Sequence, residues 1–348
     1  MSFFRNLFHK IYKESVVFID ISAGSVAGAY VRYVENETPS VLYTRRLPIE
    51  IHEGEPHEQA MLRALKTLGD QLIKEGAPAL ARATGSGKSD TVLVSVDAPW
   101  QETSIRTEFL EQKVPFIFTR SLVAEALKRT HVPVPGKLLA DESIIGTILN
   151  GYETRNPYGK KVHRAAIIIL TSLIDERIAG GIAATLRSLY HTKRILLIVG
   201  SSLRYQAMRS AFPHERNMLI VDAMGPSTSI ALVRKNLFVA SAEVSESDSD
   251  SHAWVGEVVN TFADIAKTFP LPRMIFLLAQ ESRTASLQET LKSANLGSLW
   301  LSDNPPKIVT ILVSHIIGLV RQVATTPPDL ALLLMTLYWQ YGDSGEDT

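Results

Sequence analysis

The sequence predicts an α/β protein built from two halves of the same order, β-β-β-α-β, with a middle section of different character between them. Two observations carry this. Each half opens on a buried-strand run followed almost at once by two more strand patterns: "SVVFIDIS", "SVAGAYVRYV" and "PSVLYTRRL" near residue 15, and "NMLIVDAMG", "STSIALVRK" and "LFVASAEV" near residue 217. Each trio is then followed by an amphipathic helical pattern and another apolar strand, "TVLVSV" in the first case and "RMIFLLA" in the second. The chain has 348 residues, of which 45% are hydrophobic, enough to fill two cores.

In order, the three opening strands are joined by short polar turns, the mark of an antiparallel meander. "HEQAMLRALKTLGDQLIKEG" follows as a helix, with Leu62, Leu65, Leu68 and Leu72 on one face and Gly76 as its stop. The stretch "ATGSGKSD" carries the Gly87-Lys88-Ser89 end of a phosphate-binding loop. That motif needs a glycine five residues before Gly87, where Arg82 stands, and it runs from strand to helix, whereas this stretch runs from helix to strand. It reads as a surface turn.

The middle section gives an edge-strand pattern, "TSIRTEF", a helix capped by Thr119, and two strands around the turn "NPYG". A helix, a strand ("KRILLIV") and a second helix then lead to the second half. Its late segments read as a helix ("TASLQETLKSA"), a short strand ("LWLSD") and two closing helices, "IVTILVSHIIGLVRQV" and "DLALLLMTLYWQY".

Net charge is zero, with 36 basic and 36 acidic residues, which argues against broad capture of nucleic acid. The absence of cysteine excludes disulfides and thiolate metal sites. No apolar run reaches the ~20 residues that span a bilayer, and no secretory signal is visible. Residues 3–13 place Phe3, Phe4, Leu7, Phe8 and Ile11 at helical spacing, with basic residues largely off that stripe. Two readings stay open: an interfacial helix on an anionic membrane, or a terminal helix packed on its own domain.

The chemistry points to the two strand-turn-strand openings, "FIDISAGSVAGAYV" and "IVDAMGPSTSIALV". Each ends a buried strand in an aspartate and continues through small glycine and hydroxyl residues. Small residues let a backbone approach phosphate, and facing carboxylates can hold Mg²⁺ through water. The candidates are Asp20, Ser22, Gly24 and Ser25 on one side and Asp222, Gly225, Ser227 and Thr228 on the other. Glu246, Asp248, Asp250 and Glu257 imitate calcium-loop spacing but lack the central glycine, and His52 and His57 sit among helix-start glutamates; both groups read as solvated.

Those paired openings, the run "GYETRNPYGKKV" and the ending "TTPPDLALLLMTLYWQYG" resemble the actin-like ATPase superfamily, and within it FtsA and PilM, over nearly all of the chain. The resemblance implies boundaries: an N-terminal segment at 1–14, a first half from 15–98, 172–210 and 328–342, an inserted SHS2-type domain at 99–171, a reduced second half at 211–327, and a tail at 343–348. It implies ATP with Mg²⁺ in the cleft between the halves. Several departures point to a degenerate member that needs no cofactor. Ser22 replaces a glycine, Pro226 removes an N–H donor, and Gln280 and Glu281 stand where the adenosine side of the family has a glycine pair. The interval 245–272 holds only a loop and a helix, too little for the subdomain that walls the cleft, so the pocket is expected to lie open to solvent. The resulting expectation is a non-enzyme: a cytoplasmic adaptor like the division protein FtsA, or like PilM in pilus assembly. It would bind partner tails on the inserted domain, copies of itself, or the inner membrane face. The rival is an active ATPase of the same superfamily.

Overall fold

The computed structural model describes residues 13–89, 91–130, 134–154, 156–192, 194–225, 227–235, 237–245, 251–300 and 305–341. The stripe from Phe3 to Ile11, together with Pro226, the acidic residues Glu246, Asp248 and Asp250, and the tail at 343–348, lies outside them.

The first half opens as a meander: β1 (Lys13–Ile21), β2 (Ser25–Val34) and β3 (Ser40–Pro48) pair antiparallel in sequence order. Next, α1 (His57–Gln71) buries Ala60, Met61, Ala64, Leu65 and Leu68, the three-to-four-residue spacing of one helix face. The sequence reading stops this helix at Gly76. Instead, one π-helical turn at Leu72–Gly76 leads into α2 (Ala77–Thr84), which ends at Gly85. Gly76 serves packing: a Cβ there would stand 2.6 Å from Tyr30 Cδ2. After it, β4 (Thr91–Val96) returns parallel to β1. The Gly87–Ser89 turn leaves Lys88 exposed and ties Ser89 Oγ to the Ser15 carbonyl at 2.6 Å, so it cradles no phosphate.

A separate antiparallel sheet follows. Its elements are β5 (Gln101–Ile117), α3 (Arg120–Thr130), β6 (Lys137–Leu149), β7 (Tyr152–Glu153) and β8 (Lys161–Asp175), in the sheet order β5-β8-β6-β7. One face is covered by α3, through Val123 and Ala126 on Ile167 and Ile169. This sheet runs to Asp175, past the boundary expected at 171. The chain then returns through α4 (Glu176–Tyr190), β9 (Arg194–Val199) and α5 (Gly200–Ala211), with β9 parallel to β4.

The second half repeats the rule. A meander of β10 (Met218–Ala223), β11 (Ser227–Arg234) and β12 (Leu237–Ser245) is followed by α6 (Ser251–Ala266), β13 (Met274–Ala279) and α7 (Glu281–Ser293). The next strand is β14 (Lys307–Ile311), parallel to β13. The sequence reading makes this stretch helical; it is the second half's counterpart of β9, and a short apolar run does not show its period. The short strand read at "LWLSD" is instead a 3₁₀ turn at Gly297–Leu299 followed by Trp300. After α8 (Val313–Ile316), the two-residue β15 (Arg321–Gln322) joins the first sheet beside β3. The chain closes in α9 (Leu330–Tyr341). Sheet orders are therefore β15-β3-β2-β1-β4-β9 and β12-β11-β10-β13-β14.

Residues Ala331 to Trp339 of α9 are all buried, as an all-apolar helix requires. The helix lies against α5 between the two sheets, in a core shared by both halves that includes Phe18, Phe238 and Phe276. Tyr33 Oη donates to the Thr336 carbonyl at 2.9 Å, fixing α9 to the first sheet. Each sheet buries its other face on its own helices. Among the described residues, no helix is long and apolar enough to cross a membrane.

Candidate functional site: an ion-paired cleft between the halves

The duplicated rule places Asp20 and Asp222 at equivalent ends of β1 and β10, facing each other across the cleft. Both are buried, at 3% and 6% exposure. Among the described residues no open pocket lies there: Arg204 stands in the cleft, and Arg46 pairs with Asp20 beside it. Arg204 comes from α5 in the first half. Its Nη2 lies 2.5 Å from Asp97 Oδ1, just past the end of β4, and its Nε contacts Asp222 Oδ2 of the second half. Arg46, from β3, reaches Asp20 Oδ2 at 3.0 Å and holds Asp329 with two hydrogen bonds of 2.6 and 3.0 Å. It also donates to Ser25 Oγ at 2.7 Å. A link from the inserted sheet to the second half runs from Gln101 Nε2 to Glu243 Oε1, 3.1 Å.

Room for Arg204 depends on Gly200, the first residue of α5. A Cβ there would overlap Asp97 Oδ1 and come within 2.9 Å of Arg204 Nη1. The space left among Ser22, Asp97, Arg204, Asp222, Ser227 and Glu243 is about 20 Å³. That holds about one water; small-molecule sites take roughly 300 Å³ or more.

Charge follows from burial. Removal from water raises the pKa of Asp20, Asp97 and Asp222 above the ordinary 3.8, and the neighbouring arginines offset only part of that rise. Burial also opposes the Arg204 charge, but Asp222 and Asp97 outweigh it and hold the guanidinium charged. Asp20 Oδ1 is buried with no hydrogen-bond partner among the described residues, which adds to its preference for a proton.

The other candidates divide. Ser22 closes a tight turn, its N–H on the Ser25 carbonyl at 2.9 Å, and Trp100 Nε1 donates to the Ser22 carbonyl at 3.3 Å. His57 Nε2 lies 2.7 Å from the Ala23 carbonyl, and Ile49 N–H donates to the Gly24 carbonyl at 2.9 Å. This first turn is thus bound to its own half. Gly24 and Gly225 have space where a side chain would go, so neither is kept small by a close approach. Ser227 lines the cleft, and so does Ser229. Thr228 does not: strand alternation turns it into the second-half core, where its Oγ1 accepts from Trp254 Nε1 at 2.8 Å. Gln280 Nε2 donates to the Met224 carbonyl at 3.0 Å and so ties the start of α7 to the second turn.

The residues missed by sequence reading are Asp97, Arg204, Arg46, Gln101, Glu243 and Asp329. Asp97 carried a usable signal, since "VLVSVD" ends a buried strand in aspartate as the two openings do. Arg204 carried none: in "SSLRYQ" it reads like any arginine on a helix.

Both aspartates expected to hold Mg²⁺ pair with guanidinium groups, and about 20 Å³ lies open among the described residues between them. No family model and no curated protein matches the sequence. Among solved structures, a chain of a PilM-PilN type IV pilus biogenesis complex superposes with a TM-score of 0.58 at 14% identity, covering 93% of this chain and 98% of that one. A Bacteroides thetaiotaomicron protein with an actin-like ATPase fold and unknown function gives 0.44 at 9% identity, covering 86% and 91%. The ethanolamine utilization protein EutJ from Carboxydothermus hydrogenoformans gives 0.43 at 9%, covering 94% and 89%. An identity of 14% carries the fold and nothing finer: the chain has an actin-like α/β fold, and a buried ion pair, Arg204 to Asp222, joins its two halves across the cleft.

Proposed function

We propose that the chain is a non-catalytic, PilM-like adaptor that binds a partner protein and does not use Mg-ATP. The observation that carries this is Arg204, whose guanidinium takes up Asp222, one of the two aspartates expected to hold a nucleotide-bound cation, and Asp97 beside it. A fixed side-chain cation pins the halves together without a ligand. Turnover needs phosphates and attacking water positioned in a shared cleft, and a cavity of about 20 Å³ offers neither. The likeness to a PilM-PilN pilus complex supports the pilus branch of the adaptor reading. The FtsA-like division role expected from the sequence has no comparable support.

Partner binding is assigned to the inserted domain. Its edge strand β5 is 17 residues long and, among the described residues, has β8 as its one sheet neighbour, which leaves its outer edge open to a further strand. Phe109 is 77% exposed on it, and Val114 and Ile117 are exposed as well. An unprotected edge with apolar side chains suits a peptide that adds as a further strand.

Isothermal titration tests the first part. Millimolar Mg-ATP is expected to give no binding heat. Micromolar binding, with turnover that disappears in Asp222→Ala, would establish the enzyme instead. The second part is tested by Phe109→Glu. It should leave stability within about 0.5 kcal/mol while abolishing capture of the cytoplasmic segment of a pilus-assembly protein. Undiminished capture by that variant would move the partner site elsewhere, and localisation of the tagged chain to the division septum would favour the FtsA-like role.

A further inference from the structure

The second half carries a pocket of about 740 Å³ at the end of its sheet away from the cleft. Asp222 and Ser227 mark the cleft end of β10 and β11, and Met218 and Arg234 mark the other. The register pairs Val233 with Met218, Met218 with Met274, and Met274 with Lys307, so four strand ends lie level there. Three cations line the pocket: Lys307 opens β14 in this row, Arg234 closes β11 one residue beyond it, and Arg273 stands just before β13. Glu215 is the only acid among the lining residues. No carboxylate pairs with Arg234 or Lys307 among the described residues, and the Arg273 Nε donates to the Pro305 carbonyl at 3.1 Å. Buried Leu271 and half-buried Met274 supply an apolar floor.

Spacing selects the occupant. Neighbouring strands lie about 4.8 Å apart, so the strands of Arg234 and Lys307, three intervals apart, are separated by about 14 Å. An extended peptide advances about 3.4 Å per residue, so its residues i and i+4 span the same distance. We infer that this pocket docks an extended acidic segment of a partner protein, with the pattern acid–x–apolar–x–acid. The outer acids meet Arg234 and Lys307, and the central apolar side chain sits over Leu271 and Met274. The surface is distinct from β5 of the inserted domain, and it stands whether or not the cleft binds nucleotide.

The test is fluorescence anisotropy on the full chain with a fluorescein-labelled Ser-Glu-Thr-Leu-Thr-Glu-Ser peptide at low and physiological salt. Binding is expected, weaker at the higher salt because rim charges are screened. The double reversal Arg234→Glu/Lys307→Glu should weaken it at least tenfold, and Lys307→Gln alone by a smaller factor. A peptide with its two glutamates adjacent should bind at least fivefold more weakly. Lys66→Glu/Lys74→Glu, on exposed residues of the first half, should change nothing. Equal binding by the double reversal, no preference for the spaced acids, or no binding to the wild-type chain would overturn the proposal. So would full displacement of the peptide by micromolar pyrophosphate, which would assign the pocket to a small anion.

Discussion

Replacing Arg204 with alanine is expected to destabilise the protein by about 3–5 kcal/mol in urea unfolding, because it strands a buried charge cluster. Arg204 is the shared partner of Asp97 and Asp222, and Asp20 and Glu243 add to the same negative field. Without it, each carboxylate must take up a proton or stay charged in a poorly solvated site. Adding Asp222→Asn to Arg204→Ala should recover part of the loss, since it removes one unpaired charge, and the recovery reads their coupling directly. If the single variant lost less than 1 kcal/mol, the staple would be an incidental contact.

The same variant should show a pH dependence whose sign follows from burial. Asp20, Asp97 and Asp222 have folded-state pKa values above the ordinary 3.8. A carboxyl of that kind binds its proton more tightly when folded. Its contribution is therefore most favourable near and below the unfolded pKa, and stability falls as pH rises through the folded value. Removing Arg204 raises these values further and extends the window upward. The Arg204→Ala penalty should accordingly be smaller at pH 5 than at pH 8, by about 1.4 kcal/mol for each unit of additional shift that falls between those pH values. Equal penalties at the two pH values would show that the carboxylates find solvent on their own.

Gly200→Ala is the second large effect, an expected loss of about 3 kcal/mol from adding one methyl group. Overpacking costs roughly 1–3 kcal/mol where a neighbour can yield. Here the neighbour is the Asp97 carboxylate, and yielding pulls it off Arg204. The control is Gly180→Ala on α4, where a Cβ would meet nothing within 4 Å; it should be neutral or stabilising, since alanine favours a helix. Denaturant midpoints for the two variants make the comparison. Similar values would mean that Asp97 can swing aside and that the staple is looser than its distances indicate.

Much of this architecture was written locally. Strand runs such as "SVVFID" and "NMLIVD" are apolar on both faces and end in aspartate, so the paired sheets and the positions of Asp20 and Asp222 could be read directly. The readings that failed did so where local signals compete. "KIVTI" is too short to reveal its period, and it is a strand because β13 offers an edge for it. Thr228 was grouped with its neighbours by composition, but the pleat sends alternate residues to opposite faces, so Ser227 and Ser229 meet the cleft and Thr228 does not. The open pocket was inferred from a missing subdomain, and Arg204, from a helix distant in sequence, stands in it instead.

Taken alone, the sequence determined the duplicated strand order, the burial of the last helix and the two strand-end aspartates. Periodicity and strand-end chemistry act over a few residues, so they are legible without coordinates. What fills the cleft was decided by tertiary structure. Arg204 is 107 residues from Asp97, and Arg46 is 283 from Asp329, and no local pattern links them. Whether an arginine meets water or two buried carboxylates depends on where the folded chain places its helix, and that placement separates a ligand-binding cleft from a closed one.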